Sequence, residues 1–463
     1  MTHPDINDTI AAIATPPGES GIGIVRISGP GALGIADKVF VSKDGHSPSA
    51  FKTYTVHYGW IIDGPRSKQV VDEVILTVMR QPRSYTKEDV VEINCHGGIT
   101  ALRAVIDIVL ESGARPAEPG EFTKRAFLNG RIDLAQAEAV LDTIRAKTDS
   151  ALAASLYQLR GSLSKEIRRI RKGLIAALAV LEAHIDFPEE EITPADMRKL
   201  ADSLRVSLGH VQSLIASSHF GRILREGVNV VICGRPNVGK SSLLNALLKQ
   251  ERSIVTPIAG TTRDTIEEII SIRGIPIRIV DTAGIIEPRD LIERKAVERS
   301  RQYIQRADLV VLMFDGTRHL TRDDAMFMRL LRRKAVLAVI NKLDLKQRIR
   351  REAIASHFDH VIAVSAKRNR NIDTLEDAIA GIILSGGVAL QESVLVTNAR
   401  HVVKLKASQK LIAQAAASLD NRLSPEFISQ DIKDALGCLD EITGEKFSED
   451  VLDRIFSEFC IGK

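Results

Sequence analysis

Between Val228 and Leu248 a run of mostly β-branched residues, Val228-Asn-Val-Val-Ile-Cys233, passes into Gly234-Arg-Pro-Asn-Val-Gly239-Lys240-Ser241 and then into a helix-forming stretch, Ser242–Leu248. Strand, glycine-rich turn and helix in that order leave few architectures open. The turn must fold back so that a helix N-terminus faces the strand end, which is the geometry of a parallel sheet with crossover helices. The N–H groups of such a turn converge on one point, and an anion satisfies them. In this context the pattern GxxxxGK(S/T) is a phosphate-binding loop. Its glycines let the backbone close round a β-phosphate, Lys240 reaches the β- and γ-oxygens, and Ser241 can ligate Mg²⁺. Asn237, Val238, Gly239 and Ser242 complete the contacting stretch.

Three downstream elements say which nucleotide. Asp281-Thr282-Ala283-Gly284 follows the apolar run Ile277–Val280; an Asp there holds Mg²⁺ through water, and the Gly backbone senses a γ-phosphate. Asn341-Lys342-Leu-Asp344 ends the run Ala335–Ile340. A carboxylate at Asp344 accepts from both N1–H and the exocyclic amine of guanine, a pair of donors that adenine does not offer. Ser365-Ala366-Lys367 ends His360–Val364 and is placed to back the base. Each short motif is weak alone, but their order and strand-end placement together predict GTP rather than ATP. Gly260-Thr261-Thr262-Arg-Asp264 lies between the loop's helix and the next strand. It reads as a switch segment, with Thr262 as the second protein ligand to Mg²⁺; a capped turn is the plainer reading.

The chain is 463 residues, too long for one ordinary domain. Short β-like runs with Gly/Pro turns (Gly21–Ser28, Val70–Met79, Val90–Cys95) fill residues 1–127, and an Ala/Leu/Arg/Glu helical period (Asp133–Thr148, Leu163–His184) fills 128–223. Alternating strands and helices occupy 224–385, and helical texture returns over 386–463, at Asn398–Ser418 and Ile428–Phe459. Neither helical half can bury its own apolar faces. The expected fold is therefore multidomain α/β plus all-α: a Ras-like P-loop domain inserted into a helical domain, preceded by an α+β N-terminal domain.

A net charge of +4, from 63 basic and 59 acidic residues, neither demands nor excludes a nucleic-acid partner. With 4% aromatics, a surface stacking unpaired bases is not advertised. Cys95, Cys233, Cys438 and Cys460 lie far apart, with no metal-like pair, which fits a reducing, cytoplasmic setting. The first residues lack the basic start and apolar core of a signal peptide, and the longest apolar stretch, Gly173–Leu181, is far short of a membrane span, so no membrane association is expected.

The residue after Asp-x-x-Gly, a water-orienting Gln in Ras-like enzymes, is Ile285 here, and Ile286 follows; neither side chain can hydrogen-bond water. Together with Ala14-Thr-Pro-Pro-Gly18, Gly23-Ile-Val-Arg-Ile-Ser-Gly29, Pro119–Gly130, Asp133-Leu-Ala-Gln-Ala-Glu138 and the terminal Phe459-Cys-Ile-Gly-Lys463, the site resembles the MnmE (TrmE) family of tRNA-modification GTPases over essentially the full chain. The resemblance implies K⁺-dependent activation, with K⁺ ligands falling on Asn237, Thr256, Ile258 and Thr261. The wrapping loop adds Pro257, Ala259 and Gly260 to the GTP contacts. It implies a water-orienting carboxylate at Glu293, which the residues alone would make a solvated helix charge. It further implies a tetrahydrofolate derivative (5-formyl- or methylene-tetrahydrofolate) held by Arg26, Glu92, Arg131 and Lys463, of which Arg26 and Arg131 would otherwise read as surface charges. Cys460 gains a role in the modification chemistry; a thiol packed against a helix is its alternative. Many relatives carry Arg where this chain has Ile286, and often Lys where it has Arg131.

The family likeness also implies a homodimer, and a heterotetramer with an MnmG (GidA)-like flavoprotein that brings FAD. The reaction it implies is aminomethyl or carboxymethylaminomethyl addition at C5 of the wobble uridine of certain tRNAs. The alternative is a ribosome-assembly GTPase of the Era/Der kind, which predicts a KH module or a second P-loop, and the sequence contains neither. A purely structural dimerisation module is disfavoured by the complete nucleotide site.

Overall fold

The computed structural model describes residues 8–64, 69–187, 193–250, 267–281, 302–384 and 394–463. They pack as two compact units, Met1–Leu141 with Asp440–Lys463, and Asp142–Leu439. This division is coarser than the four segments read from the sequence, and it sets residues 440–463 with the N-terminal unit rather than with the preceding helices.

The first unit is built on seven strands: β1 (Ile10–Ile13), β2 (Gly23–Ser28), β3 (Phe40–Ser42), β4 (Thr55–Ile62), β5 (Val70–Met79), β6 (Val90–Cys95) and β7 (Arg115–Pro116). Their order is β3-β4-β5-β6-β2-β1-β7, antiparallel except for the β1–β7 pair. The period-2 pattern of β5 turns Val74, Leu76 and Val78 into a core shared with Val25, Ile27 and Ile93. That core is closed by α1 (Ala32–Val39) and α2 (Ile99–Glu111). On the other face Val56, Tyr58 and Ile75 are exposed. Next come α3 (Glu121–Leu128) and α4 (Leu134–Arg145). Phe127 and Leu134 pack there with Leu452, Phe456 and Phe459 from the C-terminal stretch.

In the second unit α5 (Asp149–Leu159), α6 (Ser162–Asp186) and α7 (Pro194–Glu226) precede the α/β insertion. Along α6 the buried residues Ile167, Ile170, Leu174, Ala177 and Leu181 recur at helical spacing. α6 crosses α7 at Gly173, where an added Cβ would lie 2.9 Å from Ser207 Oγ. The chain leaves α7 through Gly227 (φ 78°) directly into β8 (Val228–Gly234). It returns at Val396, whose backbone packs on Gly221 and whose N–H donates to Ser217 Oγ at 3.2 Å. α12 (Ala399–Asp420) then runs back along α7. Exit and return thus meet on the last turns of one helix, the geometry of an insertion.

The strands of the inserted sheet are β8, β9 (Glu267–Ile272), β10 (Ile275–Asp281), β11 (Leu309–Asp315), β12 (Val336–Asn341) and β13 (His360–Ala363). Their order is β13-β12-β11-β8-β10-β9, all parallel but β9. Near-continuous apolar runs fill both faces, as a covered parallel sheet requires. The covering helices are α8 (Lys240–Gln250), α9 (Arg322–Leu330), α10 (Arg351–Ala355) and α11 (Ile372–Leu384). The expected Ras-like P-loop domain within a helical domain, after an α+β domain, is present. One helical expectation needs correcting. Ile428–Phe459 is not one run: α13 (Pro425–Thr443) stops at Gly444 (φ 82°) and α14 (Glu449–Ser457) begins anew. A Cβ on Gly444 would lie 2.7 Å from the Phe127 ring, so the turn that breaks the helix is also a packing contact.

Candidate functional site

Parallel strands bring their C-terminal ends to one edge, and β8, β11 and β12 deliver Gly234, Asp315 and Asn341 there. The loop after β8 closes through two left-handed glycines, Gly234 (φ 143°) and Gly239 (φ 102°), and through Asn237 (φ 63°), a residue type that tolerates this region. Lys240 opens α8 with Nζ donating to the carbonyls of Gly234 and Arg235, both at 3.0 Å, so its ammonium arches over the loop. Ser241 and Ser242 follow in the helix's first turn.

Asn341 ties the three nucleotide loops together. Only 3% exposed, it donates from Nδ2 to the Val238 carbonyl at 2.8 Å and accepts at Oδ1 from the Ala366 N–H at 3.0 Å. A Cβ on residue 239 would lie 2.2 Å from Nδ2, so glycine is required there by contact as well as by φ. Asp344 accepts from Ser365 Oγ at 2.6 Å, and Ser365 Oγ accepts in turn from the Arg368 N–H at 3.2 Å. The Ser365 hydroxyl, aided by Arg368 and Lys367, holds the Asp344 carboxyl below its ordinary value, and Asp344 is an acceptor throughout the neutral range. Lys342 (φ 68°) donates to Asp315 Oδ2 at 2.6 Å. Burial pushes the Asp315 carboxyl up, but the bonds from Lys342 and Thr317 outweigh it and the net shift is downward.

Sequence reading missed two residues of this edge. Asp315 anchors Lys342, and Arg235 pairs with Asp323 (3.8 Å) and Asp324 (3.5 Å) at the start of α9. Asp315 had a signal, its Asp-Gly-Thr turn after an apolar strand; Arg235 had none, because its partners lie about ninety residues on. Asp281 ends β10, in register with Ile232 of β8. Thr256, Pro257, Ile258, Ala259, Gly260, Thr261, Thr262, Thr282, Ala283, Gly284, Ile285, Ile286 and Glu293 lie outside the described residues.

The first unit brings the four residues implied for folate to one neighbourhood. Arg26 on β2 faces Glu92 on β6 in register and donates to it at 2.8 Å. Its Nη1 also reaches the Gly462 carbonyl at 3.2 Å, one residue before Lys463. Arg131 stacks over the Tyr85 ring, its Cζ 4.7 Å from the centroid, and Arg26 flanks the same ring at 6.0 Å and Phe122 at 5.6 Å. Tyr85, whose hydroxyl pairs with Thr123 Oγ1 at 2.9 Å, is the residue that sequence reading overlooked here. Its setting in a polar loop gave no warning that two cations would share it. The donor set suits a ligand with an amine edge and an anionic tail: a carboxylate, two guanidiniums and aromatic walls.

The C-terminus is docked, not frayed. Gly462 takes φ 92° and lies so close to β1 that an added Cβ would be 2.4 Å from the Ile13 carbonyl oxygen. Cys460 is exposed, which removes the reading of it as a packed thiol. Cys95 and Cys233 are buried core thiols pushed up by that burial, to about 11 and about 12, and are inert at neutral pH. Among the described residues no helix is long and apolar enough to cross a membrane.

Two family models match the chain: the MnmE helical domain over residues 134–460 and the GTP-binding protein TrmE N-terminus over 9–131. The tRNA modification GTPase MnmE of Alkaliphilus oremlandii is 46% identical over 460 residues, covering 99% of this chain and 100% of that one. That of Bacillus subtilis is 43% identical over 459 residues, covering 98% and 100%. Among solved structures, Era in complex with MgGDPNP and a fragment of 16S ribosomal RNA is 29% identical, with a TM-score of 0.29 over 40% of this chain and 66% of that one, a likeness too slight to bear on fold or function. The N-terminal and helical regions both find their match in one family, which disfavours the ribosome-assembly alternative. By its phosphate loop, its two flanking regions and its near-complete coverage of these relatives, the chain belongs to the MnmE (TrmE) family.

Proposed function

We propose that this chain binds and hydrolyses GTP and that hydrolysis serves the modification of tRNA. One observation carries the nucleotide reading: Asn341 holds the phosphate loop and the Ser365–Lys367 loop at fixed spacing, while Ser365 fixes Asp344 as a charged acceptor for guanine N1–H and the exocyclic amine. Adenine offers Asp344 no matching donor pair. The tRNA reading rests on family membership.

Within this proposal the G domain comprises 224–385, between helical segments 128–223 and 386–463, after an N-terminal domain at 1–127. The loop N–H groups and Lys240 bind the β- and γ-phosphates, and the preset donors stabilise charge that builds on the bridging oxygen. Mg²⁺, held by Ser241 and Thr262, and K⁺, held by Asn237, Thr256, Ile258 and Thr261, would offset phosphate charge where other enzymes insert an arginine. Glu293 orients the attacking water in place of the Gln that Ile285 cannot supply.

Arg26, Glu92, Arg131 and Lys463 bind the tetrahydrofolate derivative, Cys460, three residues before Lys463 in the chain, takes part in the modification chemistry, and an MnmG-like flavoprotein completes a heterotetramer in the cytoplasm. The exposed strip of Val56, Tyr58 and Ile75 on β4 and β5 supports a second copy of the chain as its cover. The product is a uridine modified at C5 in the tRNA wobble position. The test is hydrolysis of GTP and ATP by the full chain, in potassium and in sodium. GTP turnover in potassium alone is expected; equal rates in both salts would remove the cation mechanism, and equal use of ATP would remove the guanine reading.

A further inference from the structure

Where α7 gives way to β8, two hollows open side by side in the second unit. One, of about 480 Å³, is lined by Arg145 and Lys147 from the end of α4 and beyond, by Arg225 with its partner Asp142, and by Arg278 of β10. The other, of about 520 Å³, shares Glu226, Gly227 and Arg278 with the first and adds Arg222. Together they carry five cations, four from the first hollow and Arg222 from the second, against the carboxylates of Asp142, Glu226 and Asp308. Two of those carboxylates are engaged: Asp142 takes Arg225 Nε at 2.8 Å, and Asp308 accepts the Asn229 N–H at 2.9 Å. Arg278 stands between the hollows with Nη2 on the Glu226 carbonyl at 2.8 Å, one of its five N–H donors used to fix the guanidinium in place. Arg145, Lys147, Arg222 and Arg278 are all exposed.

We propose that this double hollow is a binding site for consecutive phosphates of an RNA strand, the tRNA on which the chain acts; the assignment rests on the tRNA reading above. Either hollow alone has the volume of a small-ligand site. A compact anion would occupy one hollow only, whereas a phosphodiester chain spans both. Exposed cations around a concave surface raise the local concentration of a polyanion, and each phosphate neutralised releases counterions, so binding weakens with salt in proportion to the contacts made. The apolar side of the first hollow, with Ile269 and Pro276, offers a base or ribose a surface.

The position suits a substrate that must be felt at the nucleotide. Arg278 is three residues from Asp281 along β10, and the β9–β10 turn is pinned at its far end by Thr148 Oγ1, which donates to the Gly274 carbonyl at 2.9 Å.

The test measures binding of fluorescently labelled total tRNA to the full chain by anisotropy across a salt series. For Lys147→Ala with Arg278→Ala, affinity should fall about tenfold and the slope of log K against log salt should flatten by about 2. Thermal melting checks the fold, and Lys147→Glu alone, at an exposed position, should reproduce the loss if the pair does not fold. Wild-type and variant chains binding tRNA with the same affinity and slope would overturn the assignment while leaving the tRNA reading standing. A wild-type chain that binds no tRNA would overturn both. Loss of affinity for inorganic phosphate with tRNA binding unchanged would make the site one for a small anion and overturn the RNA assignment.

Discussion

Replacing Asn341 by Ala should uncouple the nucleotide site without touching any atom that the phosphates contact. The side chain is 3% exposed and joins two groups that are themselves buried, the Val238 carbonyl and the Ala366 N–H, at 2.8 and 3.0 Å. Deleting it leaves one acceptor and one donor without partners. Each such group costs about 1–3 kcal/mol. The site opens to solvent, so water reaches part of the gap, and the sum falls at about 2–4 kcal/mol. If the phosphate loop and the Ser365–Lys367 loop keep their positions only in the bound state, that cost appears in nucleotide affinity, as a loss of about 30- to 700-fold. Titration of a fluorescent GTP analogue reads it, and thermal melting of the free chain shows how much falls on folding instead. Asn341→Asp should be no rescue, because it keeps the acceptor for Ala366 but sets a charge against the Val238 carbonyl. A variant that binds GTP within twofold of wild type and melts at the same temperature would show that Asn341 does not couple the two loops.

Asp344→Asn should move preference from GTP toward a nucleotide whose base presents a carbonyl in place of the exocyclic amine; competition by XTP measures it, and retained GTP preference would contradict the acceptor role. Glu293→Ala should abolish turnover while sparing GTP affinity, read by single-turnover hydrolysis and equilibrium binding. Tyr85→Leu should weaken binding of 5-formyl-tetrahydrofolate about tenfold by calorimetry, because both Arg131 and Arg26 flank that ring. The last of these predictions concerns acid. Burial pushes the carboxyls of Asp8 and Glu121 up, but Arg115 and Arg125 outweigh it, so both titrate below their ordinary values of 3.8 and 4.5. Folded pKa values depressed in this way contribute stability that is complete above the unfolded values and is lost as pH falls through the folded ones. The N-terminal unit should therefore hold its stability down to about pH 4.5 and lose it below. Arg125→Met, which removes a guanidinium only 3% exposed, should cost about 3–5 kcal/mol at neutral pH and make denaturation by acid shallower.

Much of this was legible in the chain because the strongest signals were local. Val70–Met79 and Val90–Cys95 are the strands their alternation indicates. The glycine loop sits between its strand and helix as its residue types require. What escaped was pairing across distance. Nothing in Asn341 itself announces that it reaches back to Val238 and to Gly239, over a hundred residues earlier. The break at Gly444 was hidden because a glycine within an apolar-periodic run costs a helix about 1 kcal/mol, too little to read as a stop without the Phe127 ring against it. The docking of Gly462 against Ile13 at the end of β1 was not legible either, since nothing in a polar tail points to a strand more than four hundred residues earlier.

Whether a guanine-selective hydrolytic site drives chemistry on tRNA is read by nucleoside mass spectrometry of tRNA from cells lacking this gene, complemented with the wild-type chain or with Lys240→Ala. C5-modified wobble uridine should disappear with the gene, return with the wild type and stay absent with the variant. Wobble uridines unchanged in the deleted cells, or restored in full by a chain unable to grip the phosphates, would show that the site does not drive that chemistry.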